Sequence, residues 1–65
     1  MTQAEAINLE TLIDNHGIQE VMDAIANICW EKSEHIVQSY GDKPLAKLWE
    51  TNGKRIARMK LLPTG

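Results

Sequence analysis

Sixty-five residues with 43% hydrophobic content and a formal net charge of −2 allow one small domain, 1–65, whose core is too slight to enclose a large substrate pocket. Cys29 is the only cysteine, which excludes an internal disulfide and a cysteine-based zinc knuckle and points to a reduced, cytoplasmic setting. No run approaches the length of a membrane span, and the opening MTQAEAINLE has neither a basic leader nor an apolar run, so neither a membrane role nor a signal peptide is expected.

In chain order, residues 1–7 read as a frayed terminus. Asn8 then caps a short leading helix of about 9–16, LETLIDNH, which closes on Gly17 in the left-handed conformation that glycine adopts at no steric cost. A longer helix follows, about 18–39, in which Ile18, Val21, Met22, Ile25, Ile28, Cys29, Ile36 and Val37 recur at three- and four-residue spacing. Next comes YGDKPLAK, with Gly41 to stop one helix, Asp42 to cap the next, and Pro44 in its first turn. The third helix, about 44–61, carries Leu45, Leu48, Trp49, Ile56 and Met59 on one stripe, and residues 62–65 fray. The fold class is all-α, a helical hairpin with a short leading helix. Because the apolar arc of the second helix is too wide for one neighbour, self-association into a homodimer or larger helical bundle is expected.

Charge divides the chain in two. Residues 1–31 carry six acids and no Lys or Arg, while residues 32–65 carry all seven basic side chains. Antiparallel packing of the second and third helices explains this by setting Glu20 and Asp23 near Arg58 and Lys60. The alternative is a nucleic-acid-binding stripe of Lys54, Arg55, Arg58 and Lys60, although such modules usually show a stronger positive balance. LIDNHGIQEVMDAIA has the outline of a helix-turn-helix, but Asp23 falls where its second helix needs an apolar residue.

The densest polar run is ANICWEKSEHIV, residues 26 to 37. Glu31 and His35, four apart, share a helix face, but that face is polar and the pair reads as a solvated helix pairing rather than a metal site. Cys29 sits on the apolar arc without a base to activate it and reads as a small buried hydrophobe. His16 reads as a neighbour of the Gly17 cap. Lys32 lies between Ile28 and Ile36, and Asn52 between Leu48 and Ile56. Folding the hairpin at Gly41 sets these two interruptions opposite each other, so a polar core pair is expected, with Asn52 accepting a hydrogen bond from the Lys32 ammonium; the alternative is that Lys32 snorkels, its methylenes covering the core and its ammonium in water. Gly53 and Ala57 are small enough to let another helix approach closely.

ICWEKSEHI followed by AKLWETNGKRI resembles a set of small helical proteins of bacteria and their phages that share the pattern I-C-x-E-K-x-E-H-I, A-K-x-W and G-K-x-I. The resemblance covers Ile28 to Ile36, Tyr40 and Asp42, and Ala46 to Ile56. Tyr40 and an additional Gly41 stand where a tryptophan is expected. It implies a helical fold and brings no activity, cofactor or catalytic residue. No catalytic residue, metal ligand or cofactor is read from the sequence. The expected role is a small non-enzymatic protein-interaction or adaptor module that self-associates and contacts an unidentified protein partner through Ile25, Ile28, Trp30 and Val37. The nucleic-acid-binding accessory protein is the alternative.

Overall fold

The computed structural model describes residues 1 to 64, which form three helices, α1 (Gln3–His16), α2 (Ile18–Tyr40) and α3 (Lys43–Ala57). The fold is all-α, with no strand among the described residues, and α2 and α3 form an antiparallel hairpin. Of the terminus expected to fray, residues 62 to 64 are non-helical and Gly65 lies outside the described residues.

The first helix begins well before Asn8. Thr2 is its N-cap: its hydroxyl accepts from the Glu5 N–H at 3.1 Å, and the Glu5 carboxylate accepts from the Thr2 N–H at 2.8 Å. This reciprocal capping box satisfies two otherwise unpaired amides, so residues 3–7 are helical rather than frayed. No residue of α1 is fully buried; Leu9 and Ile13 are half-buried, and Ile7 and Leu12 stay exposed.

Gly17 has positive φ, as expected of a helix stop, but its ψ of 153° lies outside the left-handed helical region. That extended ψ turns the chain directly into α2, so one glycine ends the first helix and precedes the second. Having no side chain, Gly17 stands at the N-cap of α2 without a side-chain capping bond. Thr64 does part of that work from the far end of the chain, its hydroxyl accepting from the Ile18 N–H at 3.1 Å. Gly41, by contrast, is left-handed (φ 65°, ψ 16°), and the Asp42 carboxylate accepts from the Leu45 N–H at 3.0 Å.

α3 stops at Ala57, about one turn short of the expected end. Beyond it the chain folds back over the start of α2. There the Gln19 side chain donates to the Met59 carbonyl at 3.2 Å and accepts from the Leu61 N–H at 2.9 Å. Pro63 also disfavours helix in the residue before it.

The hairpin seam is made of small residues. Ala26 and Cys29 of α2 and Ala46 and Gly53 of α3 are buried, and no large side chain is fully buried. A Cβ on Gly53 would lie 2.6 Å from the Trp30 indole nitrogen and 3.1 Å from the Ala26 carbonyl. Glycine is therefore what permits the crossing. Ser33 adds a cross-helix hydrogen bond, donating to the Ala46 carbonyl at 2.8 Å. The expected α3 stripe is accordingly rotated: Leu45 and Leu48 are exposed, and Ala46 and Gly53 take the seam. Hydrophobicity alone selects the largest side chains for the core, whereas close backbone approach selects the smallest.

The resulting molecule is a slab of 39 × 27 × 13 Å. Its radius of gyration, 13.8 Å, exceeds the roughly 10.7 Å of a compact chain of this length.

Candidate functional site

An open groove of about 400 Å³ runs between α1 and α2, walled by Leu9, Leu12, Val21, Ala24, Ile25 and Ile28, with His16 and Glu20 at one end. The His16 Nδ1 lies 3.7 Å from the Glu20 carboxylate. Leu12 and Ile28 are each 49% exposed despite lining it. Two hydrophobic helices therefore lie side by side without filling the space above them.

Beyond the groove, the same side of α2 meets α3. Lys32 follows Ile25 by seven residues and Ile28 by four, so it lies on their side of α2. Its ammonium sits over the Trp49 ring, 5.4 Å from the centroid, within the reach of a cation–π contact. Trp49 in turn is four residues from Leu45. On α3, Leu45, Leu48 and Asn52 share one side by their three-, four- and seven-residue steps, and both leucines are exposed, Leu48 at 63%; Met59, beyond the end of the helix, is exposed as well. The Lys32–Trp49 contact thus joins the exposed apolar sides of α2 and α3 into one face with the groove.

The opposite face is charged. It carries Asp23, Asn27 and Glu34 on α2 and Lys43, Lys47, Glu50 and Lys54 on α3, by the same helical spacing. Glu50 lies 3.0 Å from Lys54 and 3.8 Å from Lys47. The Lys54 hydrogen bond, aided by the charges of Lys47 and Lys54, holds the Glu50 carboxyl below its ordinary range.

These faces separate residues that the sequence had grouped. Ile25 and Ile28 line the groove, but Trp30, two residues beyond Ile28, is turned some 200° around α2 and packs against Gly53. Val37 follows Trp30 by two turns. The expected contact set is therefore split between two faces, with Trp30 packed on Gly53 at the hairpin while still 37% exposed. The polar core pair is also corrected, since Lys32 and Asn52 are both exposed and Lys32 meets Trp49 instead. The rotation of α3 that puts Gly53 in the seam carries Asn52 out of it.

Nor do the acidic and basic halves pair across the hairpin. Among the described residues every ion pair lies within one helix or between α1 and the first turn of α2, and Asp23 accepts from Gln19 at 3.0 Å. The basic stripe is broken as well: Lys54 and Arg55 lie on α3, Arg58 is its C-cap, and Lys60 belongs to the non-helical tail. His35 meets Tyr40 edge-on at 6.0 Å, and its Nδ1 lies 3.4 Å from the Ser39 hydroxyl. Cys29 is buried. Among the described residues no three His, Cys, Asp or Glu side chains gather as a metal site would need, and no helix is long and apolar enough to cross a membrane.

No protein-family model matches this chain. Neither a curated protein nor a solved structure is similar to it. The two faces and the groove are thus the features from which a function is read.

The groove and the α3 side are what the sequence reading missed. The signal was present in Leu45 and Leu48, which are too large for a seam built on Ala46 and Gly53.

Proposed function

We propose that this chain is a small, non-enzymatic protein-interaction or adaptor module of the cytoplasm that self-associates and holds a protein partner. The observation that carries this reading is the continuous apolar face formed by the α1–α2 groove and the exposed side of α3. Contiguous exposed apolar surface rimmed by polar residues is the usual mark of a protein contact. Ile25 and Ile28 remain in the contact surface, joined by Leu9, Leu12, Leu45 and Leu48.

The alternative, a nucleic-acid-binding accessory protein using Lys54, Arg55, Arg58 and Lys60, is disfavoured by the Lys54–Glu50 pair and by the net charge of −2. Affinity capture from the native host separates the two. A protein partner retained after nuclease treatment by the wild type and lost by Ile28→Glu supports the module. Capture that disappears with nuclease, together with duplex binding that weakens steeply as salt rises, supports the alternative.

A further inference from the structure

We infer that the apolar face is covered by a second copy of this chain, docked through the same face about a two-fold axis to make a two-layer helical bundle. The inference rests on the module reading and names the occupant of its surface. Three observations point to it.

The first is area. The chain exposes 5223 Å², whereas a compact monomer of 7.3 kDa exposes about 4,200 Å². The excess is about 1,000 Å², and a standard interface takes about 800 Å² from each partner. The surplus surface of one molecule is thus the amount that one stable dimer contact removes.

The second is architecture. Domains bury apolar surface between at least two packed layers, and this molecule, 13 Å thick between its outermost Cα atoms, is close to one. A single partner helix would fill the groove and leave Leu45, Leu48 and Met59 in water. A second slab covers both.

The third is charge. The face carries Lys32 and Asn52 within it, Arg55 seven residues from Leu48 and Glu31 and His35 three and seven residues from Ile28 along its edges, and His16 and Glu20 at its end, while Lys43, Lys47, Glu50 and Lys54 lie on the other side. An isologous contact through this face therefore leaves the Glu50 ion pairs in solvent. An anionic membrane is the poorer occupant, because the groove is built from the half of the chain that carries six acids and no Lys or Arg, whereas interfacial helices are usually rich in basic residues.

Sedimentation of the full chain across nanomolar to hundred-micromolar concentrations tests this, with Leu48→Glu and Ile28→Glu as variants. Both side chains are about half exposed or more, so each variant keeps its helices by circular dichroism. Glu34→Lys, on the charged face, is the control.

The wild type and Glu34→Lys should form a dimer, and each apolar-face variant should raise its dissociation constant at least tenfold. A wild type that stays monomeric overturns the inference, as does a dimer that Leu48→Glu and Ile28→Glu leave intact. If the wild type is monomeric yet captures a protein that Ile28→Glu loses, the second copy and the self-association of the module are refuted, and its partner binding survives. Binding to anionic vesicles by a wild type that never dimerises refutes both.

Discussion

At the scale of single residues, Gly53 decides how α2 and α3 meet. Replacing it with alanine favours the helix by roughly 1 kcal/mol, but the new methyl group strikes the Trp30 ring at 2.6 Å. Overpacking of this kind typically costs about 1 to 3 kcal/mol. The clash wins, and Gly53→Ala is expected to lower stability by about 1 kcal/mol in urea unfolding. Trp30→Ala removes the nearer obstacle and leaves the Ala26 carbonyl at 3.1 Å, so Gly53→Ala made in that background should cost less than it does in the wild type. Equal losses in both backgrounds would show that Trp30 moves aside freely and does not fix the crossing. The importance of Gly53 was legible from its size and place, but its partner was not. The sequence set Asn52 against Lys32 because both interrupt apolar stripes, and a rotation of about 100° about the α3 axis is enough to exchange Asn52 for Gly53. Nothing within one helix fixes that rotation; it follows from how closely two backbones approach.

Among the elements, α1 is the weakest, since it buries no residue and is held by its capping box and by Leu9 and Ile13. The Glu5 carboxyl lies below its ordinary range, chiefly because it accepts the Thr2 backbone N–H, with the Thr2 hydroxyl assisting. A depressed carboxylate stabilises the folded form above its unfolded pKa, near 4.3, and that contribution is lost as pH falls through the lower folded value. Acidification below about pH 4.3 should therefore lower the protection factors of the α1 amides, measured against their intrinsic exchange rates, more in the wild type than in Glu5→Gln. Residue-resolved exchange is the measurement, because Glu50 in α3 is depressed in the same direction. An identical acid response in both proteins would remove Glu5 from the account. The limits of α2 were readable to within a residue because glycines punctuate both ends. The T-x-x-E box that opens α1 was also present in sequence, masked by Asn8 as a competing cap. The early end of α3 was not readable, since Gln19, forty residues away, holds the carbonyl that turns the chain.

For the whole molecule, the proposed two-layer dimer predicts that stability depends on concentration. A chain of this size buries about 60% of its unfolded surface when compact. Exposing 5223 Å² at 7.3 kDa, this one buries nearer half. The seam of Ala26, Cys29, Ala46 and Gly53 contributes little apolar area of its own, because small side chains have little to bury. The larger residues that would contribute more, Ile28, Leu45, Leu48 and Met59, are exposed in the single chain. Covering them with a second copy couples folding to association, and anything that binds only the folded state raises apparent stability with its concentration. For a dimer, tenfold more protein adds roughly 0.7 kcal/mol per chain, which for a domain this small raises the melting temperature by roughly 3 to 6 °C. Melting curves at 2, 20 and 200 micromolar, with concentrations set to about these values, should climb by that step in the wild type. Leu48→Glu should melt at one temperature throughout. A wild type whose midpoint is independent of concentration, with a single cooperative transition, would mean that the small-residue seam alone suffices and that the apolar face remains in water for another partner.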